Sequence, residues 1–306
     1  MTYPRVGISA CLLGQRVRHN GEHKGHHWLI EEFSKFVTWV PLCPEVEMGL
    51  GVPRDTLRLI GEAIDPKMIV VKTGKDLTAL AKNTARTLLK RETDFDSYIF
   101  KKDSPSCGLQ RVKVYGKSAM PLKTGVGLFA AAVKSRYPLI PMIEEGRLAD
   151  PDQREAFAIQ VFACFRLKNL PRRVSALQKF HQSYKFLLMS LDPINYQKLG
   201  AIAANSSRKP IGEVFEIYLG KFNETLQKPR TVKRRTNALQ HLFGYLKTKI
   251  GSAEKKQVLD VIEDYRKEEI PLIAPLTLLH HLARKHSVTY LLDQEFFQPY
   301  PKGLKI

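Results

Sequence analysis

Along the first 145 residues, short apolar runs alternate with segments whose apolar side chains recur every three or four positions. Arg5–Ala10 (RVGISA) is apolar and β-branched and predicts a strand that ends at Cys11. His27–Phe36 has a helical pattern, and Phe36–Leu42 (FVTWVPL) predicts the next strand, ending at Cys43. Met68–Val71, Tyr98–Phe100 and Pro138–Ile143 read as further short strands, the second leading into KKDSPSCG. Between them, residues 76–90 carry apolar side chains at 77, 80, 81, 85, 88 and 89, an amphipathic helix opened by Asp76 as its cap. Thr124–Arg136 predicts another helix, whose TGVG start offers free N–H groups to an anion. Strands alternating with helices of this length imply βαβ units and a mostly parallel sheet.

Beyond about Asp150 the pattern changes. Segments 151–169, 172–190, 211–227, 231–249, 253–269 and 271–285 all carry helical spacing, and only Val288–Leu292 retains strand-like alternation. The expected fold is an α/β N-terminal domain with a mostly parallel sheet, followed by an all-α C-terminal domain. The boundary falls between Asp150 and Arg172, giving domains 1–155 and 156–306 with 151–169 as a connecting helix. No internal repeat or low-complexity tract interrupts either half.

Charge then narrows the partners. The chain has 49 Lys and Arg against 30 Asp and Glu, a net +19. Residues 1–150 hold 23 basic against 16 acidic residues, and 151–306 hold 26 against 14, so the helical half is the more basic. A surplus of this size suits a polyanion, because each phosphate neutralised releases a counterion; the bland alternative is a solubilising surface. The basic helices lack a flanking Trp- and Phe-rich stripe, which argues against a membrane surface. No run of 18 apolar residues predicts a transmembrane helix, and the N-terminus lacks the charged and small-residue marks of a signal peptide. A soluble, cytoplasmic protein is the expectation.

Three of the four cysteines share one context. Cys11 (ACLLG), Cys43 (LCPEV) and Cys107 (SPSCG) each follow a predicted strand in a loop rich in turn residues. In an open parallel sheet the carboxyl ends of the strands share an edge, where ligands bind, so three such cysteines can meet although 32 and 64 residues separate them. Cys164, within AFAIQVFACF, reads as a small buried hydrophobe. A closed zinc site usually takes four ligands, and a redox disulfide typically uses a CxxC; neither pattern is present. Three cysteines suit a [4Fe-4S] cluster with one open iron, able to act as a Lewis acid. Three unrelated buried cysteines are the structural alternative.

The blocks ISACLLGQRVRHNG, PLCPEVEMGLGVPR and KKDSPSCG resemble the signatures of the thiouracil desulfidase (TudS-like) family. FHQSYKFLLMSLDP and KPRTVKRRTNALQHLFGYL resemble a YbgA-like helical domain. Together these cover nearly the whole chain, and the combination is similar to desulfidases acting on 4-thiouridine in tRNA. The resemblance implies a [4Fe-4S] cluster on Cys11, Cys43 and Cys107, a functional carboxylate at Glu45 and a functional serine at Ser104, with no departure at any of these positions. It also implies hydrolytic removal of sulfur with no net electron transfer, hence no nicotinamide or flavin, and the chain has no GxGxxG.

For a tRNA partner, the densest basic cluster is KPRTVKRR, with Lys228, Arg230, Lys233, Arg234 and Arg235 at a helix start; its alternative is a solvated helix face. Nearby Phe243 and Tyr245 read as core. In the first half, Arg16, Arg18, His19, Asn20 and Lys24 follow Cys11 closely enough to touch phosphate or base. Two other functions stay open: a desulfidase of free thiouracil or its nucleotides, and a non-catalytic iron–sulfur RNA-binding regulator.

Overall fold

The computed structural model describes residues 2–116, 120–205 and 208–306. It divides into two compact units, Met1–Val161 with Gly303–Ile306, and Phe162–Lys302. In chain order the strands are β1 (Arg5–Ser9), β2 (Thr38–Leu42), β3 (Leu57–Ile60), β4 (Lys67–Val70), β5 (Ser97–Phe100), β6 (Val112–Tyr115), β7 (Leu122–Gly125) and β8 (Met142–Glu144). All lie in the first unit. One sheet has the order β2-β1-β5-β8 and is parallel throughout. Its strands therefore all end on one edge, where Cys11, Cys43 and the loop bearing Cys107 emerge.

The helices of this unit are α1 (His27–Glu31), α2 (Pro44–Glu47), α3 (Thr78–Arg91) and α4 (Leu128–Arg136). All four residues of β5 are buried, as expected of a parallel strand covered on both faces. Ala85 and Leu88 of α3 and Phe129 and Val133 of α4 pack on one face with Tyr98, Phe100, Val40 and Cys107. The predicted strands and the helix at 76–90 form close to their expected bounds, and Asp76 Oδ1 accepts from the Thr78 amide at 2.8 Å.

A second sheet, β4-β3-β6-β7, is the main departure from expectation. Its β3/β4 and β6/β7 pairs are antiparallel and only β3/β6 is parallel. Thr124–Gly125 ends β7 rather than opening a helix, and α4 begins only at Leu128. Residues 27–36 split into α1 and a 3-10 turn at Phe33–Phe36.

The second unit is helical among its described residues. The helix α5 (Pro151–Lys168) runs from one unit into the other, and is followed by α6 (Val174–Ser183), α7 (Lys185–Leu191), α8 (Pro193–Ala204), α9 (Ile211–Leu226), α10 (Val232–Leu246), α11 (Ser252–Arg266), α12 (Ile273–Lys285) and α13 (Thr289–Leu292). The predicted helix 172–190 breaks at Tyr184, and the alternation at 288–292 resolves into a helical turn. Asp192–Pro193, read as a break, starts α8: Asp192 caps it by accepting from the Ile194 and Asn195 amides, with Pro193 at the first turn. Cys164 is buried as expected, its Sγ donating to Asn223 Oδ1 at 2.6 Å. Among the described residues no helix is long and apolar enough to cross a membrane.

His181 gives this unit a pH dependence. Its ring stacks on Tyr196 with centroids 4.9 Å apart, and Nδ1 lies 3.0 Å from Tyr218 Oη. Burial lowers its pKa from 6.5 to about 4. The unfolded chain therefore binds a proton below pH 6.5 that the folded chain refuses until about pH 4, so stability falls as pH drops through that window. The expected loss is on the order of 2 kcal/mol after allowing for partial exposure. Thermal melts at pH 7 and 4.5 check this: His181→Gln should show a smaller drop in Tm between the two than the wild type. An equal drop would remove His181 as the cause.

Candidate active site

A cavity of about 430 Å³ opens at the carboxyl edge of the parallel sheet, and Cys11, Cys43 and Cys107 all line it with Glu45 and Ser104. None of the three cysteines is in a disulfide. Each is carried by a different local device. Cys11 sits in the 3-10 turn Ala10–Leu13 directly after β1, and its carbonyl accepts from the Lys24 amide at 2.9 Å, pulling the following loop across the site. Cys43 is the cap of α2, whose Glu45 and Val46 amides hydrogen-bond its sulfur.

Cys107 is held more elaborately. Ser104 Oγ accepts from the amides of Ser106 (3.2 Å) and Cys107 (3.0 Å), and Gly108 N donates to Ser104 O, closing a tight turn. The start of α4 seals the turn from behind. Gly127 N donates to Gly108 O, Leu128 N to Pro105 O, and the amides of Phe129 and Ala130 to Ser106 O. A Cβ on Gly127 would lie 2.5 Å from Ser106 O, so only glycine permits this approach. The helix start expected to hold an anion is thus spent on the Cys107 loop. Its N–H groups already have carbonyl partners.

Two buried carboxylates at the end of β8 clamp the same loop. Glu145 accepts from the Lys102 amide at 2.6 Å and pairs with Lys101 Nζ, while Glu144 Oε1 accepts from the amides of Leu109 and Gln110. Burial raises the Glu144 pKa, opposed by those two amides.

Glu45 is fixed on both oxygens. Arg54 donates to Oε2 through Nε (2.9 Å) and Nη2 (2.6 Å), and Ser106 Oγ donates to Oε1 at 2.8 Å. The Arg54 side chain is 5% exposed and that of Glu45 14%, so this pair is nearly out of solvent. Arg54 also donates to the carbonyls of Val17 and Gly51, which ties it to both flanking loops. Ser104, the serine the resemblance implied, touches loop amides rather than Glu45; the hydroxyl on Glu45 is Ser106. Arg54 and Ser106 were absent from the sequence expectation, although Arg54 closes the block PLCPEVEMGLGVPR and Ser106 immediately precedes Cys107.

The three thiols are desolvated. Burial pushes Cys11 up to about 11, with Cys43 adding repulsion. Cys43 is raised by burial against the opposing α2 amides, and Cys107 is raised furthest, by burial and then by Cys43. Among the described residues no group of three His, Cys, Asp or Glu is gathered tightly enough for a single metal ion. The cavity wall is otherwise cationic: Arg18, Lys24, Arg54, Lys101 and Lys102 line it against Glu45 and Asp103.

The other expected basic residues are distributed differently. Arg16 is exposed, and Arg18 contacts Glu22 at 3.5 Å while facing the cavity. In the second unit Lys233 is exposed, Arg234 is half-buried at the start of α10, Arg235 bonds Tyr265, and Lys228 lies 3.6 Å from Glu224. Arg230 is half-buried and partnered. Tyr245, expected in the core, is 40% exposed, accepting from Lys185 Nζ at 3.0 Å; Phe243 is half-buried.

Comparison with known proteins gives two matches to family models: residues 6–145 to 2-thiouracil desulfurase, and residues 185–301 to a protein family of unknown function, DUF1722. The uncharacterized protein YbgA of Escherichia coli (strain K12) is 28% identical over 152 residues, spanning 48% of this chain and 90% of YbgA. A solved structure of a [4Fe-4S]-dependent thiouracil desulfidase, TudS, is 28% identical with a TM-score of 0.42, covering 51% of this chain and 99% of that one.

Proposed function

Because residues 6–145 form a 2-thiouracil desulfurase domain and residues 185–301 a YbgA-like one, we propose that the protein removes sulfur from 4-thiouridine in tRNA, giving uridine and hydrosulfide. The observation that carries this is the meeting of Cys11, Cys43, Cys107 and the ion-paired Glu45 in one cavity. The donor set fits a [4Fe-4S] cluster: three unpaired thiols ring a cavity rather than converging on a point, and their burial leaves thiolates needing a cationic partner. When bound, such a cluster supplies an iron without a protein ligand, a soft Lewis acid for a thiocarbonyl sulfur.

The chain's own residues do the rest. Glu45 takes a proton from a water adding at C4 of the base and returns one as hydrosulfide leaves. The C=S bond is replaced by C=O at the cost of one water, with no change in oxidation state. Arg54 and Ser106 occupy three acceptor positions of the carboxylate, so one lone pair on Oε1 remains to meet that water. Ser104 keeps the Cys107 amide in place. The cationic wall, with Arg18 and Lys24 near the mouth, suits the phosphates of a polynucleotide better than an uncharged base. The basic surplus of residues 151–306, including Lys228, Arg230, Lys233, Arg234 and Arg235, provides sequence-independent affinity for tRNA.

A second reading takes free thiouracil or its nucleotide as substrate, and the description of the matching family model favours it. Anaerobic reconstitution with iron and sulfide, followed by incubation with thiolated tRNA and separately with 2-thiouracil, decides between them. Loss of the thiouridine absorption with release of hydrosulfide, faster for tRNA than for the free base, is the expected result. Turnover of 2-thiouracil alone would replace the tRNA reading, and a colourless protein that takes up no iron would sink both.

A further inference from the structure

Resting on that cluster reading, we propose that the Tyr98 hydroxyl is a buried hydrogen-bond donor to a cluster sulfur on the Cys107 side, and so a positioning and tuning residue for the centre. Tyr98 lies in the middle of β5 and is completely buried. Its Oη has no hydrogen-bond partner, which is rare for a buried hydroxyl and calls for an explanation. Ser97 Oγ is also unpaired, but strand alternation puts it on the opposite face of β5.

Packing does not explain the hydroxyl. The Tyr98 ring stacks on Phe100 with centroids 4.3 Å apart and meets Phe95 and Phe129 edge-on at 5.5 and 5.9 Å. Those neighbours are all phenylalanine, and a phenylalanine at 98 would fill the same space. The ring cannot swing aside, because it lies against β1 at Gly7, where even a Cβ would stand 2.2 Å from Tyr98 Cδ2.

What lies nearby is the thiol centre. Tyr98 belongs to the same packed cluster as Cys107. Burial raises its hydroxyl pKa well above the usual value, and Cys107, then Cys43, then Cys11 raise it further. A group sensed by all three thiols stands beneath the centre they ring. Hydrogen bonds to cluster sulfurs favour the more negative, reduced state and are among the determinants of its potential.

The test uses the full-length Tyr98→Phe variant beside wild type, both reconstituted anaerobically. The variant should bind the same iron and sulfide, but with a lower midpoint potential in an EPR-monitored titration. Resonance Raman Fe–S bands should shift in D₂O for the wild type and lose part of that shift in the variant. Without iron, the variant should melt no lower than wild type, since it loses only an unpaired hydroxyl. Identical potentials and identical D₂O shifts would overturn the proposal, as would a clearly lower melting temperature of the iron-free variant, which would make the hydroxyl structural. Should wild type take up no cluster at all, the functional reading fails and this inference with it. A loaded wild type with an indistinguishable variant defeats this inference alone.

Discussion

Cys107→Ala is expected to lose the iron–sulfur absorbance and all measurable desulfidation, while Cys164→Ala keeps both. Cys107 is 6% exposed and sits in a turn secured by Ser104, by the start of α4 and by Glu144 and Glu145. Removing its sulfur changes nothing in that scaffold, because none of those hydrogen bonds uses the side chain. The fold should therefore survive a change that leaves only two thiols in the cavity, too few to hold a cluster with a single open iron. Cys164 is equally buried, yet its thiol serves only the helical core through Asn223. Its replacement should cost about 1–2 kcal/mol of stability and leave the cluster untouched. Iron and sulfide content with circular dichroism separates the two outcomes. Full iron content in Cys107→Ala would mean that the three cysteines do not act as one ligand set.

The parts of the fold legible in the sequence are those in which local pattern and tertiary burial agree. β1, β2 and β5 are apolar because the parallel sheet is covered on both faces, and each leads towards a cysteine, so the shared edge could be inferred from chain order. The second sheet hid because its strands are four residues long with few inward positions: Leu59 in β3, Val112 and Val114 in β6. Thr124 and Gly125 look like a helix opening, and only pairing with β6 makes them a strand.

The site divides in the same way. Cysteines and Glu45 are marked by their blocks, but the groups that hold them are joined by tertiary contact. Glu144 and Glu145 read as a surface acidic pair after a strand, and become a clamp because that strand ends on the edge where the Cys107 loop returns. Ser106 faces Glu45 across 61 positions of sequence, a distance no local pattern spans.

Glu45→Gln is expected to lower turnover about 10²–10⁴-fold, the usual loss for a general acid–base group, while iron–sulfur absorbance stays at the wild-type level. Glutamine keeps the volume and can still accept from Ser106, so the side chain has reason to stay in place. It cannot take a proton from water, and it leaves the Arg54 guanidinium, 5% exposed, without its counter-charge. That second effect predicts a stability loss approaching the roughly 3–5 kcal/mol of a broken buried pair, and melting must therefore accompany the kinetics. Arg54→Met separates aim from chemistry. It spares the carboxylate but removes both donors to Oε2, leaving Glu45 held by Ser106 alone. A misplacement of about 1 Å can cost around 10²-fold, so Arg54→Met should fall between wild type and Glu45→Gln, and Arg54→Lys should recover part of the loss. If Arg54 acts through Glu45, the double variant Glu45→Gln/Arg54→Met should turn over no more slowly than Glu45→Gln alone, since the group being aimed is already gone. Losses that multiply would show that Arg54 acts on the substrate independently, and wild-type turnover in Glu45→Gln would remove the carboxylate from the reaction altogether.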